Sequence, residues 1–298
     1  MKLRPLKPGD RIALVAPASP FDQEKLARAV EVLESRGYRV APGKHITCKK
    51  GYLAGTEAER AADLIDAIRD PEVAAILCIR GGYGSARLLP WLPFSVLKDR
   101  PKIFMGYSDI TFLHLAFQSR MQWVTFHGPN LIDLADAPPD QVETLLSSLF
   151  GEEEFGWDFS DDQILRHGVA TGTVIGGNLT CLVHLLGTPY FPDLEGRFLL
   201  IEDCGEALYR LDRHINHLRL AGALDRLGGL ILGLFKDCGD FQEIHQMVME
   251  QVSSYQFPVI AGLPFGHMPQ NEVIPFGIPF TLNTYEYAFK AAQSPFNR

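Results

Sequence analysis

The stretch "IFMGYSDITFLH" (103–114) places a serine, Ser108, between a short apolar run and an apolar segment with helical spacing. Ile103–Met105 reads as a buried strand, Gly106–Asp109 as a turn and Thr111–Gln118 as a helix. A hydroxyl at such a turn has two uses. It can cap the helix, as Ser and Asp both do readily. It can also be a nucleophile, because a strand-to-helix elbow exposes Oγ beside free backbone N–H groups. Taken by itself, the stretch favours the cap.

A nucleophilic serine needs a base, and the base needs an acceptor to orient it. His127 in "FHGPN" reads as a partly buried, hydrogen-bonded histidine. His214 and His217 share a helix face without an acidic partner in a recognised metal-ligand spacing, so they read as surface or interface residues. His245 falls in an amphipathic helix and reads as surface. His267 in "GLPFGHMPQNEVIPFG" sits between Gly266 and Pro269 on a rigid loop, where functional side chains concentrate. Glu202 and Asp203 end the apolar run "FLLIED", a place where a carboxylate needs hydrogen bonds. Of the two, Asp203 is the better cap for the following helix. A Ser108–His267–Glu202 triad is chemically possible, but spacing cannot establish it, because such partners meet in space.

A second candidate is "RGGYGSARLL" (80–89), where glycines let the backbone approach a ligand and offer free amides to an anion. As a dinucleotide loop it is incomplete, with Arg87 where a third glycine is expected, and no Walker lysine follows. A plain strand-to-helix turn explains the stretch equally well.

The elements that must position these residues alternate. "RIALVAP" (11–17) is a strand, followed by a helix over 22–37 with Gly37 as its C-cap. Thr56 and Glu59 form a capping-box pattern opening a helix over 55–70. "VAAILCI" (73–79) is apolar throughout, as a strand covered on both faces should be, and 123–129 gives a further strand. Strands alternating with helices imply a parallel sheet that binds ligands at its carboxyl ends. A helix over 139–150 closes this half, and the acidic, aperiodic stretch 151–163 marks the boundary. The second half has strands at 198–203 and 229–235, a helix over about 207–220, and more Gly and Pro, which reads as a smaller α+β or barrel-like unit.

The chain has 298 residues, 46% hydrophobic, which is long enough for two domains. A formal charge of -8 argues against nucleic acid or an anionic membrane as partner. The N-terminus fits a first strand better than a signal peptide, and no apolar run reaches the roughly 18 residues of a membrane helix. Five cysteines without CxxC spacing suggest a reducing compartment, hence the cytoplasm, and neither a zinc site nor a disulfide framework.

Taken together, these stretches resemble the LD-carboxypeptidase A family of serine peptidases, to which the microcin C immunity peptidases also belong. The resemblance runs through "LKPGDRIALVAPASP", "IRGGYGSARLLP", "MGYSDITFLH", "FHGPN", "IGGNLTCLVHLLGTPY", "FLLIEDCGEALYRLDRHINHLRLAG" and "GLPFGH" followed by "IPFG". It implies an α/β fold with an N-terminal parallel-sheet domain flanked by helices, of the class I glutamine amidotransferase-like kind. Residues 1–155 would carry the nucleophile, and a smaller C-terminal α+β, barrel-like domain at 165–298 would carry the catalytic Glu and His. The family's G-x-S-D-x-T serine falls on Ser108, its L-x-E-D glutamate on Glu202 and its late G-H histidine on His267. Its oxyanion-hole amides fall on Asp109 and Gly82. The elbow has Ile110 where α/β-hydrolases have a glycine.

The implied reaction is removal of the terminal D-Ala from a cytoplasmic murein tetrapeptide through an acyl-enzyme, without metal or organic cofactor. Arg80, with Gly81 and Tyr83 of the glycine turn, is positioned to bind the substrate carboxylate, and the family implies a homodimer. Cleavage of a peptidyl-nucleotide antibiotic is the alternative within the family. It is mildly disfavoured because the 151–170 segment has Trp157 as its only indole for stacking a base. A non-catalytic anion-binding module would have no need of all three triad residues, and a nucleotide-dependent enzyme is disfavoured by the incomplete phosphate motifs.

Overall fold

The computed structural model describes residues 2–151 and 154–297. The first half alternates as read: β1 (Arg11–Val15), α1 (Gln23–Glu34), β2 (Arg39–Pro42), α2 (Glu57–Arg69), β3 (Val73–Cys78), α3 (Phe94–Leu97), β4 (Ile103–Gly106), α4 (Thr111–Met121), β5 (Thr125–His127) and α5 (Pro139–Phe150). The Thr56–Glu59 capping box opens α2. Helix α1 ends earlier than the Gly37 reading: Ser35 is its C-cap, and Gly37 lies beyond it.

The second half contains β6 (Gly156–Asp158), β7 (Ile164–Arg166), β8 (Val169–Asn178), α6 (Leu179–Leu185), β9 (Phe198–Cys204), α7 (Leu208–Leu220), β10 (Gly229–Lys236), α8 (Phe241–Gln251), β11 (Val259–Gly266), β12 (Ile274–Phe276), β13 (Pro279–Asn283) and β14 (Ala288–Ala291). The stretch 151–163, read as aperiodic, contains β6, which pairs with β14. A three-residue strand is too short to give a period, so its pairing was invisible in the sequence.

The described residues form two sheets, one of six strands in the order β12-β5-β4-β3-β1-β2 and one of eight in the order β6-β14-β13-β8-β9-β10-β11-β7. The first is parallel from β2 to β5, with β12 antiparallel at its edge. In the second, β8 to β11 run parallel and the flanking strands antiparallel. Crossover helices cover the parallel strands, which are therefore apolar on both faces, as in β4 where all four residues are buried.

Helix α4 is the hinge of this packing. Nine of its eleven residues are buried, so it is apolar nearly all round, as a helix enclosed between layers must be. One continuous core joins Val15, Phe104, Leu113 and Phe117 of the first half to Ile175, Leu199, Ile201 and Leu232 of the second. A polar tie accompanies it: the backbone N–H of Asn178 donates to Thr111 Oγ1 at 3.0 Å, and Thr111 is fully buried. Thr111→Val would leave that N–H unpaired in the interior, a loss of about 1–3 kcal/mol. Urea unfolding should therefore show a lower midpoint with an unchanged slope.

Candidate active site

The residues singled out above sit at the carboxyl ends of parallel strands from both sheets. Ser108 lies two residues beyond β4, the glycine turn follows β3, Glu202 is near the end of β9, and His267 directly follows β11. Register brings the second set together, with Asn178 beside Glu202 and Leu234 beside Gly266.

Ser108 adopts φ 65°, the left-handed region, which costs a non-glycine residue roughly 1–3 kcal/mol. A capping residue needs extended backbone, and among the described residues no side chain caps the turn at 108–110 or α4. The cap that the local sequence favours is therefore not what Ser108 does. Its Oγ lies 2.9 Å from His267 Nε2, and His267 Nδ1 lies 2.7 Å from Glu202 Oε2. The chain Ser108–His267–Glu202 is thus continuous. Glu202 is fully buried, while Ser108 and His267 are partly exposed and reachable by a ligand. Gly266, at φ 119°, lets β11 pass the carboxylate: a Cβ there would lie 2.8 Å from Glu202 Oε2.

Burial pushes the Glu202 carboxyl above its ordinary range, opposed by the hydrogen bond and charge of His267. For His267, burial favours the neutral ring. The Glu202 hydrogen bond and charge outweigh it and leave the pKa above 6.5. The Tyr107 ring, 4.9 Å from the imidazole between centroids, covers one side of it.

The neighbouring residues depart from their readings in instructive ways. Asp203 does not cap α7. Nearly buried, it accepts from Asn178 Nδ2, Thr180 N, Thr180 Oγ1 and Cys204 N, at 2.8–2.9 Å, and so fastens β9 to the start of α6. His127 is fully buried rather than partly so, and neither ring nitrogen has a hydrogen-bond partner among the described residues. Burial holds its pKa well below 6.5, so it stays neutral. His214 is half-buried near Thr180, His217 is exposed and His245 half-buried. Among the described residues, no group of three or more His, Cys, Asp or Glu side chains is placed to hold a metal ion.

The glycine turn lies against the serine. A Cβ on Gly81 would lie 2.9 Å from Ser108 Cβ, a separation only glycine permits. Ser19, in the "APASP" stretch, anchors the turn by donating its N–H to Gly81 O at 3.3 Å and accepting Tyr83 N–H at its Oγ at 3.1 Å. Arg80 is exposed and donates to Pro20 O at 3.0 Å. Arg87 is a surface charge paired with Glu57. Beside His267 opens a cavity of about 650 Å³ lined by Tyr107, Asp133, Trp157, Lys236 and Glu272 among others. Trp157 is held in its wall by an N–H bond to Glu272 Oε2 at 2.6 Å and by packing on Phe265. Sequence reasoning passed over Ser19, Thr111 and Asn178 as site residues. Their only signal was that they sit in the quoted stretches.

Fold and site define a peptidase of two tightly packed sheets. Residues 12–128 match the LD-carboxypeptidase N-terminal domain and residues 171–282 the LD-carboxypeptidase C-terminal domain. The chain belongs to the LD-carboxypeptidase family and has carboxypeptidase function. It is 39% identical to the probable murein peptide carboxypeptidase of Bacillus subtilis, over 96% of this chain and 92% of that one. The structure of the muramoyltetrapeptide carboxypeptidase from Oxalobacter formigenes is 31% identical, with a TM-score of 0.84 over 94% of this chain and 97% of the other. The microcin C7 self-immunity protein MccF of Escherichia coli is 28% identical over 94% of this chain and 92% of its own. A structure of MccF superposes with a TM-score of 0.90 over the full length of both chains, at 25% identity.

Removing the Glu202 charge should reverse the balance at His267. In a histidine titration followed by NMR, the His267 ring should titrate above 6.5 in the native protein and at lower pH in Glu202→Gln, where the more distant Asp203 charge is the remaining carboxylate acting against burial. An unmoved midpoint would separate the two groups electrostatically.

Proposed function

We propose that the protein hydrolyses the bond before the terminal D-alanine of murein tetrapeptides, L-Ala-γ-D-Glu-meso-Dap-D-Ala, with Ser108, His267 and Glu202 as a catalytic triad. The observation that carries this reading is the unbroken hydrogen-bonded chain from Ser108 Oγ through His267 to the buried Glu202. His267 Nε2 takes the serine proton as Oγ attacks the acyl carbon. Glu202 holds the ring and stabilises its charged form. Amides of Gly82 and Asp109 receive the developing oxyanion. His267 then protonates the departing D-alanine amine, and water, activated by the same ring, releases the acyl group. Because the ring must be neutral to accept the proton, activity falls as pH drops through the raised His267 pKa.

Arg80, with the backbone of Gly81 and Tyr83, is assigned to the terminal carboxylate of the substrate. It is exposed and beside the glycine turn, and it can pair bidentately with a carboxylate. The muropeptide is preferred over a peptidyl-nucleotide because the names of two of the relatives above point to murein peptides. In addition, Trp157 is engaged by Glu272 and Phe265 rather than offered as a free platform. The five free thiols fit a reducing, cytoplasmic setting. Exposed Tyr209 and Leu220 at either end of α7 suit a homodimer contact, which light scattering tests.

D-alanine release from the tetrapeptide should fall by about 10⁴ or more in Ser108→Ala. Equal release by both proteins would remove Ser108 from the mechanism. An inactive native protein that cleaves a peptidyl-adenylate would keep the triad and replace the substrate. Arg80→Ala should lower kcat/KM on the tetrapeptide by about 10–100-fold, the worth of a charged hydrogen bond. An unchanged value would take Arg80 out of carboxylate binding.

A further inference from the structure

Beneath the serine lies a set of buried polar groups that the triad does not use. Ser85, at the far end of the glycine turn, is fully buried. Its backbone N–H donates to Asp109 Oδ2 at 2.7 Å, and its Oγ donates to the main-chain oxygen of Asp109 at 2.5 Å. The two bonds hold Asp109 both by its side chain and by the carbonyl of the peptide that follows it. This explains why the Asp109 carboxylate, although placed at the start of a helix, caps nothing there.

The other end of the turn is held from α2. Arg60, only 2% exposed, donates Nη1 to Gly84 O at 2.9 Å and to Pro17 O. It makes no ion pair within 4 Å among the described residues, and its Nε and Nη2 are buried without partners. Burying a guanidinium to reach two carbonyls is costly, and what it secures is the path of residues 82–85 past the serine.

We propose that Ser85, supported by Arg60, is a positioning residue that fixes the separation between the two oxyanion donors, the N–H groups of Gly82 and Asp109. Both donors are then parts of one clamped unit: Gly82 through the Ser19 bonds to Gly81 and Tyr83 and, further along the turn, Gly84 and Arg60, Asp109 through Ser85. The inference rests on Ser108 being the nucleophile, as proposed above, but not on which peptide is the substrate.

The test is therefore independent of the peptide. A fluorophosphonate reagent phosphonylates an activated serine, and its P–O oxygen takes the place of the oxyanion. The second-order rate of Ser108 labelling should fall by about 10–100-fold in Ser85→Ala, in line with the effect of a small misplacement of catalytic groups. Ser85→Cys, which keeps a weak donor on a larger atom, should also label more slowly than the native protein, and it decides the matter if Ser85→Ala does not fold. The His267 titration by NMR should stay at its native midpoint in both variants, because the clamp does not touch the imidazole. Labelling at the native rate would overturn the proposal. So would a rate loss accompanied by a moved His267 midpoint, the signature of general loosening. A native protein that is not labelled at all would instead remove the nucleophile assignment, and the clamp with it.

Discussion

A buried carboxylate 2.7 Å from an imidazole, with a serine 2.9 Å beyond it, can persist only if two sheets cannot slide past each other. Ser108 follows a strand of the first sheet, Glu202 lies in the second and His267 directly follows one of its strands, and a shift of about 1 Å would take either bond out of hydrogen-bond range. The shared apolar core supplies the rigidity. Helix α4 fills the space between the layers, and its first residue, Thr111, bonds the end of β8 next to Glu202. Protein interiors packed at crystal density have few intermediate arrangements. The geometry of the site is therefore inherited from the packing rather than enforced by the site itself.

Electrostatics follow from that position. Glu202 sits where water cannot reach it, so its charge is directed almost entirely at His267 and raises the ring's pKa against the effect of burial. Asp203, one residue on and nearly as buried, could have competed for that ring. Four hydrogen bonds from Asn178, Thr180 and Cys204 occupy it instead. Adjacent carboxylates on one strand thus point to opposite faces, as strand alternation requires, and serve different ends.

Much of this was legible in the chain. Residues 139–150 and about 207–220 carry helical periods, and the apolar runs at 73–79 and 103–105 read as buried strands, which the structure places at Val73–Cys78 and Ile103–Gly106. The three residues of the hydrogen-bonded chain were recognisable only through the order of their motifs, since "GYSD" by itself describes a cap as well as an elbow. What separates the two is φ at Ser108, which composition does not reveal. Asp203 was misjudged because its partners at 178–180 are more than twenty residues away, and His127 because a histidine's local sequence does not report whether its nitrogens find partners. The strand at 156–158 escaped because its order comes from β14, at the other end of the chain.

Strain at Ser108 has a physical counterpart in the crowding around it. A left-handed serine directs Oγ away from α4 and toward the second sheet, while the Gly81 backbone closes the space that a side chain would otherwise fill. Such a conformation survives only where the surroundings over-determine it. Here the residue before it, Tyr107, packs on the His267 ring, and the residue after it, Asp109, is gripped by Ser85. With both neighbours held, the backbone at Ser108 has no room to relax into the helical region. The strain of roughly 1–3 kcal/mol is carried by the same contacts that aim the hydroxyl. A site assembled this way aims the hydroxyl at His267 through the backbone contacts on either side of the serine.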